Sequence, residues 1–184
     1  MELLGLVAGR DAAGPVTECL GFTAFYQATW ARMYRTAYGI TRDRTTAEDA
    51  LQSAYAKAFS SWRRVTAADE PEAYLRRMVV NEVLGAKRRS GRRPEHLTDS
   101  VESVANASAD GSQEGYADRE ALWTALGQLP PRQRAVIVLR YYEDLSEAQI
   151  ADALRCSQGT VKSQASSALA NLRRIAGPTF GSQS

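Results

Sequence analysis

Residues 146–174 read Ser146-Glu-Ala-Gln-Ile-Ala-Asp-Ala-Leu-Arg-Cys-Ser-Gln-Gly-Thr-Val-Lys-Ser-Gln-Ala-Ser-Ser-Ala-Leu-Ala-Asn-Leu-Arg-Arg174. Ser146 and Gln149 have the spacing of a capping box, in which the hydroxyl and the amide satisfy the first free donors of a helix. Ile150 and Leu154 fall four apart on one face of that helix, and small Ala151 lets a second helix approach. Ser157 is placed to cap the second helix, and Val161 to anchor it on the first. Two short helices with cap signals in register predict a helix-turn-helix. The outward face of its second helix carries Gln158, Thr160, Lys162, Ser163, Gln164 and Ser167, and no carboxylate occurs from Arg155 to Arg174. Short polar groups reach base edges and cations approach phosphates, so this face predicts contact with DNA. The spacing also fits an ordinary amphipathic helix pair in a bundle. The acid-free second helix favours the DNA reading.

Working outward, the net charge of +2 conceals segregation. Residues 76–93 hold seven cations (Arg76, Arg77, Lys87, Arg88, Arg89, Arg92, Arg93) against Glu82, and 94–120 hold seven acids against Arg119. A +6 block beside a −6 block predicts nucleic-acid-facing modules joined by an acidic tether. The basic block can neutralise phosphates, although a solvated helix end whose cations suit the dipole would read the same way. Arg76, Arg77 and Asn81 are expected on one exposed helix face.

The apolar positions have helical period throughout, and no alternating stretch suggests a sheet. The fold class is therefore all-α: two small helical domains joined by a flexible acidic linker, the C-terminal one a helix-turn-helix. Residues 1–17 read as a flexible tail, 18–91 as the first domain, 92–115 as a disordered linker, 116–177 as the second domain and 178–184 as a tail. Within the first domain one helix carries Phe22, Phe25, Tyr26, Trp30, Met33, Tyr34, Ala37 and Tyr38, punctuated by Gly39 and by Thr41-Arg-Asp-Arg44. Thr45 and Glu48 predict a capping box for a second helix, striped with Ala47, Ala50, Leu51, Ala54, Tyr55, Ala58, Phe59 and Trp62. A third helix spans roughly 72–87. Most of the rings are expected in the core, with Trp62, beside Arg63 and Arg64, the one to reach the surface and stack on a base. Val136, Leu139 and Tyr142 are read as inward.

Other function classes find little support. Cys19 and Cys156 are isolated and His96 stands alone, so no metal site or disulfide framework is indicated. No nucleophile elbow, phosphate-cradling loop or paired carboxylate set points to catalysis. Glu143, Asp144 and Glu147 read as acids flanking a turn before a capped helix. No cofactor is expected, and nothing approaches a membrane span or a secretory signal. A cytoplasmic, nucleoid-associated setting follows.

Several stretches resemble the sigma factors of bacterial RNA polymerase, of the small two-domain extracytoplasmic-function type (group IV) and, within it, the sigma-E-like group of actinobacteria. Thr46-Ala-Glu-Asp-Ala-Leu-Gln-Ser-Ala-Tyr-Ala-Lys-Ala-Phe59 resembles that family's core-polymerase-binding helix. Tyr74-Leu-Arg-Arg-Met-Val-Val-Asn-Glu82, with the following Lys87-Arg-Arg, resembles its promoter-melting and minus-ten-reading segment. Residues 129–146 (Leu129-Pro-Pro-Arg-Gln-Arg-Ala through Tyr142-Glu-Asp-Leu-Ser146) resemble the lead-in to its minus-thirty-five domain, and Gly159-Thr-Val-Lys-Ser163 the start of its recognition helix.

The resemblance implies a partner list: core polymerase, through the clamp helices of its largest subunit and the flap of its second-largest, promoter DNA, and possible anti-sigma factors. It implies that Asp49, Gln52 and Lys57 dock on polymerase. Trp62, Arg76, Arg77, Asn81, Lys87, Arg88 and Arg89 would serve the downstream element and its melting, and 66–71 would capture a flipped base. Gln158, Thr160, Lys162, Ser163, Gln164 and Ser167 would meet the upstream element. Arg155 stands where the family usually has Gly, and Gln164-Ala-Ser-Ser167 replaces a commoner Arg-Leu-His-Arg run, which implies altered upstream readout and packing by small residues. Two rival readings are a dimeric helix-turn-helix operator-binding regulator and a helical protein-interaction adaptor.

Overall fold

A computed structural model describes residues 15–90 and 122–176, with side chains described for 21–86 and 122–175. The linker, His96 and the first fourteen residues lie outside the described residues. All regular structure in the described residues is helical. The order is α1 (Pro15–Thr41), α2 (Arg44–Ser60), α3 (Trp62–Thr66), α4 (Pro71–Ser90), α5 (described over 122–128), α6 (Pro131–Tyr141), α7 (Glu147–Leu154) and α8 (Gln158–Ala176). None of the helices searched is long and apolar enough to cross a membrane.

α1, α2 and α4 pack as the first unit around Met33, Ile40, Leu51, Leu75, Val79 and Val83, all fully buried. The alanine stripe of α2 makes this close packing possible: Ala47, Ala54 and Ala58 are fully buried, and small side chains bring helix axes together. α6, α7 and α8 form the second unit around Leu139, Ile150 and Val161. Here Ala165 and Ala168 are buried on α8, the small-residue packing that the Gln164–Ser167 departure implies.

Four local readings are corrected. Of the two breaks expected after Tyr38, α1 runs through Gly39 and ends only at the second, at Thr41, where Arg42 takes a left-handed φ of 59°. Thr45 is not the cap of α2. Asp43 is, accepting from the Thr46 amide at 2.7 Å, while Glu48 pairs with Arg44. A short carboxylate one residue before the helix outcompetes a hydroxyl already inside it. The stripe read as continuous to Trp62 breaks at Ser61, and Trp62 begins α3. Tyr142 is 43% exposed, because it follows the end of α6 and leaves the register that buries Val136 and Leu139.

The two units do not stand apart. Where the sequence predicts two separate modest cores, a single apolar cluster includes Ile40 and Val79 of the first unit and Leu139 and Ile150 of the second. α1 lies against α6 and α4 against α7. At Gly39 a Cβ would stand 3.3 Å from both methyls of Val138, so the missing side chain is what lets α1 meet α6. Arg134, buried on α6, donates to the Ile40 and Thr41 carbonyls at 3.0 and 3.2 Å and to the Gly127 and Leu129 carbonyls at 2.7 and 2.9 Å. One planar guanidinium thus serves the free carbonyls at the ends of α1 and α5. Beside it the Arg42 guanidinium lies 5.1 Å from the Tyr38 ring centre and 4.9 Å from that of Trp123.

Candidate nucleic-acid interface

The helix-turn-helix is built as the sequence predicts. Both halves of the capping box are present, with the Ser146 amide donating to Gln149 Oε1 at 2.9 Å and the Gln149 amide to Ser146 Oγ at 3.3 Å. Ser157 Oγ accepts from the Thr160 amide at 3.1 Å and also pairs with the Thr160 hydroxyl at 2.9 Å. Arg155 turns the chain between the helices at φ 50°, ψ 54°. A side chain held in that left-handed region costs about 1–2 kcal/mol. Glycine removes the steric cost but loses more backbone entropy on folding, so Arg155→Gly should stabilise the chain by about 0.5–1 kcal/mol. A thermal midpoint that stays level or falls would contradict this.

On α8, Gln158, Lys162, Ser163 and Ser167 are exposed, and Thr160 and Gln164 half-buried. The face is not free of acid in space: Glu147 of α7 stands 3.6 Å from Lys162 and 3.3 Å from Arg140. That carboxylate pairs with both cations at the base of α8. Ser163 donates to the Thr160 carbonyl at 3.0 Å.

A second face lies on α2. Asp49, Gln52, Ser53, Ala56, Phe59 and Ser60 recur at helical spacing and are all exposed, so they form one stripe. Phe59, at 52% exposed, is the ring that reaches solvent. Trp62, expected there, is half-buried with its ring 5.3 Å from those of Phe22 and Phe25. Lys57 is exposed but turned toward α4, its ammonium 2.5 Å from Glu82. Deeper in, Tyr55 pairs with the Thr29 hydroxyl at 2.8 Å, and burial pushes its phenol up to about 12.

The third face, on α4, departs most from expectation. Arg76, Arg77 and Asn81 do not share an exposed surface. Arg76 is 7% exposed, whereas Arg77 and Asn81 are half-buried one turn apart. Arg77 lies over the Tyr74 ring at 5.0 Å and pairs with Asp152 of α7 at 3.2 Å. Arg76 turns inward because Glu143 draws it there. The Glu143 side chain is fully buried, accepting from Arg76 Nε at 3.2 Å, from Arg32 Nη2 at 2.9 Å and from the Thr36 hydroxyl. Glu72 closes the ring, 2.8 Å from Arg32 and 3.5 Å from Arg76.

Sequence reasoning placed Glu143 as a turn acid and missed this role. Its partners lie 67 to 111 residues away, beyond any local pattern. Lys87, Arg88 and Arg89 are on the last turns of α4, and their side chains lie outside the described residues. Cys156 is a free thiol, half-buried at the turn. Among the described residues no three His, Cys, Asp or Glu side chains gather as a metal site.

Two family models match the chain: sigma-70 region 2 over residues 25–93 and sigma-70 region 4 over 119–172. An RNA polymerase sigma-E factor of Streptomyces antibioticus is 36% identical over 157 residues, which are 85% of this chain and 84% of that protein. The ECF RNA polymerase sigma factor SigL of Mycobacterium tuberculosis is 29% identical over 177 residues, 89% of this chain and 93% of that protein. Among solved structures, the sigma factor RpoE of Bartonella quintana, crystallised with the anti-sigma factor NepR, superposes with a TM-score of 0.68 at 21% identity. That match covers 84% of this chain and 96% of that one.

Proposed function

Since the chain belongs to the sigma-70 family of RNA polymerase sigma factors, we propose that it binds core polymerase and directs it to promoters through a minus-ten and a minus-thirty-five element. The observation that carries this reading is the exposed α8 face behind a doubly capped turn, with Gln158, Lys162, Ser163 and Ser167 turned outward. Such a helix enters a major groove with its N-terminal residues toward base edges. The α2 stripe around Asp49, Gln52 and Phe59 docks on the clamp helices of the largest subunit, and the second unit meets the flap of the second-largest.

Asn81 and Arg77, with Arg76 and the basic end of α4, hold the unpaired non-template strand, and residues 66–71 receive a flipped base. The protein does no covalent chemistry: trapping unpaired bases stabilises the open complex. Work on the chromosome places it in the cytoplasm with the nucleoid, and an anti-sigma protein is a further partner. The RpoE relative, named above with NepR, supports that last assignment.

Purified chain mixed with core polymerase should co-migrate on a sizing column as one subunit and confer promoter-dependent transcription. A dimer on a palindromic site, indifferent to polymerase, would favour an operator-binding regulator, and loss of DNA binding altogether an adaptor. Within the holoenzyme, Asn81→Ala should impair strand opening, followed by permanganate footprinting, about tenfold more than initial docking, because one good base contact is worth ~1–3 kcal/mol. Equal loss of both steps would remove Asn81 from the melting role.

A further inference from the structure

We propose that Glu147 sets how tightly the helix-turn-helix holds duplex DNA: its carboxylate stands in the place of a backbone phosphate between Arg140 and Lys162, and DNA must displace it. The inference rests on the reading of α8 as the helix that meets the upstream element. Three helices converge at this point. Arg140 lies in the last turn of α6, Glu147 in the first turn of α7, and Lys162 about one turn into α8. Each carboxylate oxygen takes one cation: Arg140 Nη1 donates to Oε1 at 3.3 Å, and the Lys162 ammonium stands 3.6 Å from Oε2.

A phosphate diester in the same place would bridge the same two cations, since carboxylate and phosphate oxygens accept alike from guanidinium and ammonium. The arrangement is open to that exchange, with the Lys162 side chain 66% exposed and that of Glu147 30%. In a docked helix-turn-helix the second helix enters the major groove while the first crosses the backbone. The start of α7 beside α8 therefore faces a phosphate strand. No acid occurs from Arg155 to Arg174, and Glu143 and Asp152 pair with arginines of the first unit. Glu147 is what brings negative charge to this face.

An acid at this point acts twice. It neutralises one of the two cations, and it repels the phosphate that comes to meet them. Attachment to random DNA is nearly all phosphate attraction, so the loss falls on every sequence alike. The outward side chains of Gln158 and Ser163 are untouched, because phosphate contacts position a protein while base contacts specify its site. Glu147 is thus a positioning residue that loosens the grip of α8 on DNA at large without changing what α8 reads. The chain then depends on polymerase and on its other promoter contacts to stay at a start site.

The test uses the full chain, in which Gln158, Lys162 and Ser163 are exposed. Two sets of dye-labelled short duplexes are titrated by fluorescence anisotropy, one of random sequence and one enriched from a random library by the parent chain. Glu147→Gln keeps the shape and removes the charge. It should bind both sets about fivefold more tightly at 50 mM salt, and log affinity should fall more steeply with log salt by about 0.9, the slope of one further phosphate contact. The gain then shrinks to about 1.5-fold at 200 mM salt. Lys162→Ala should cost about threefold more affinity in the Glu147→Gln chain than in the parent, because the two residues are coupled. Unchanged affinity or an unchanged slope overturns the proposal. So does weaker binding, which would make Glu147 a holder of the cations, or a gain confined to the enriched set, which would make it a reader of bases. If no form binds either set, the proposal falls together with the reading of α8. If Lys162→Ala weakens binding by the parent while Glu147→Gln changes nothing, the proposal falls alone.

Discussion

Arg134→Ala should destabilise the chain by about 3–5 kcal/mol, seen as a lower denaturant midpoint. The guanidinium donates to four carbonyls, two at the end of α1 and two, of Gly127 and Leu129, at the end of α5 and just beyond it. Alanine leaves all four without it in a seam from which water is largely excluded, and hydrogen bonds to a charged group are worth ~1.5–3 kcal/mol each when counted singly. They are not additive, because the carbonyls at the end of α1 can rehydrate when the units separate. Arg134→Lys separates charge from geometry. It keeps the cation but not the planar fork, and it should recover less than half of the loss. A cost below about 1 kcal/mol for the alanine variant would mean that the seam is already wet, and the guanidinium then does little.

Asp49→Arg should weaken binding to core polymerase by about thirtyfold or more, the effect of losing one hot-spot contact and adding a repelling charge. The α2 stripe suits a docking surface: its side chains are short or uncharged apart from Asp49, and Phe59 offers an exposed ring. Little conformational entropy is lost when such a surface is covered. Asp49 is exposed and touches nothing in the core, so folding and thermal stability should be unchanged. Titration of labelled core polymerase with the variant measures the effect, and an affinity equal to that of the parent would move the docking surface elsewhere. Lys57→Ala should matter less, since that ammonium is already paired with Glu82.

Much of the architecture was legible in the chain, and the reasons differ by element. The helix-turn-helix could be read from residues a few positions apart, because a capping box and an apolar i, i+4 pair are local devices. Most exposed positions of α2 and α8 followed from helical period, although Phe59, read into the apolar stripe, is exposed, and Thr160 and Gln164, read as outward, are half-buried. Two local readings failed by competition between neighbours: Asp43 took the cap assigned to Thr45, and Ser61 broke a stripe that period alone carried on to Trp62. The ring assignment failed differently. Phe59 and Trp62 are three apart, and which of them faced solvent was settled by Phe22 and Phe25, some forty residues upstream, which cover the indole.

Arg76 and Glu143 mark the boundary between the two kinds of knowledge. The sequence by itself determined that helices would form, where the two helices of the helix-turn-helix would be capped, which faces would be largely apolar and that cations would gather along α4. Each of those depends on contacts within about one or two turns. Only the tertiary structure decided that α6 and α7 close over α1 and α4, that Gly39 is a point of contact rather than a helix end, and that a turn acid becomes a buried partner of two arginines. Ion pairs and close approaches between distant segments depend on where whole helices sit, and no pattern of neighbouring residues encodes that placement.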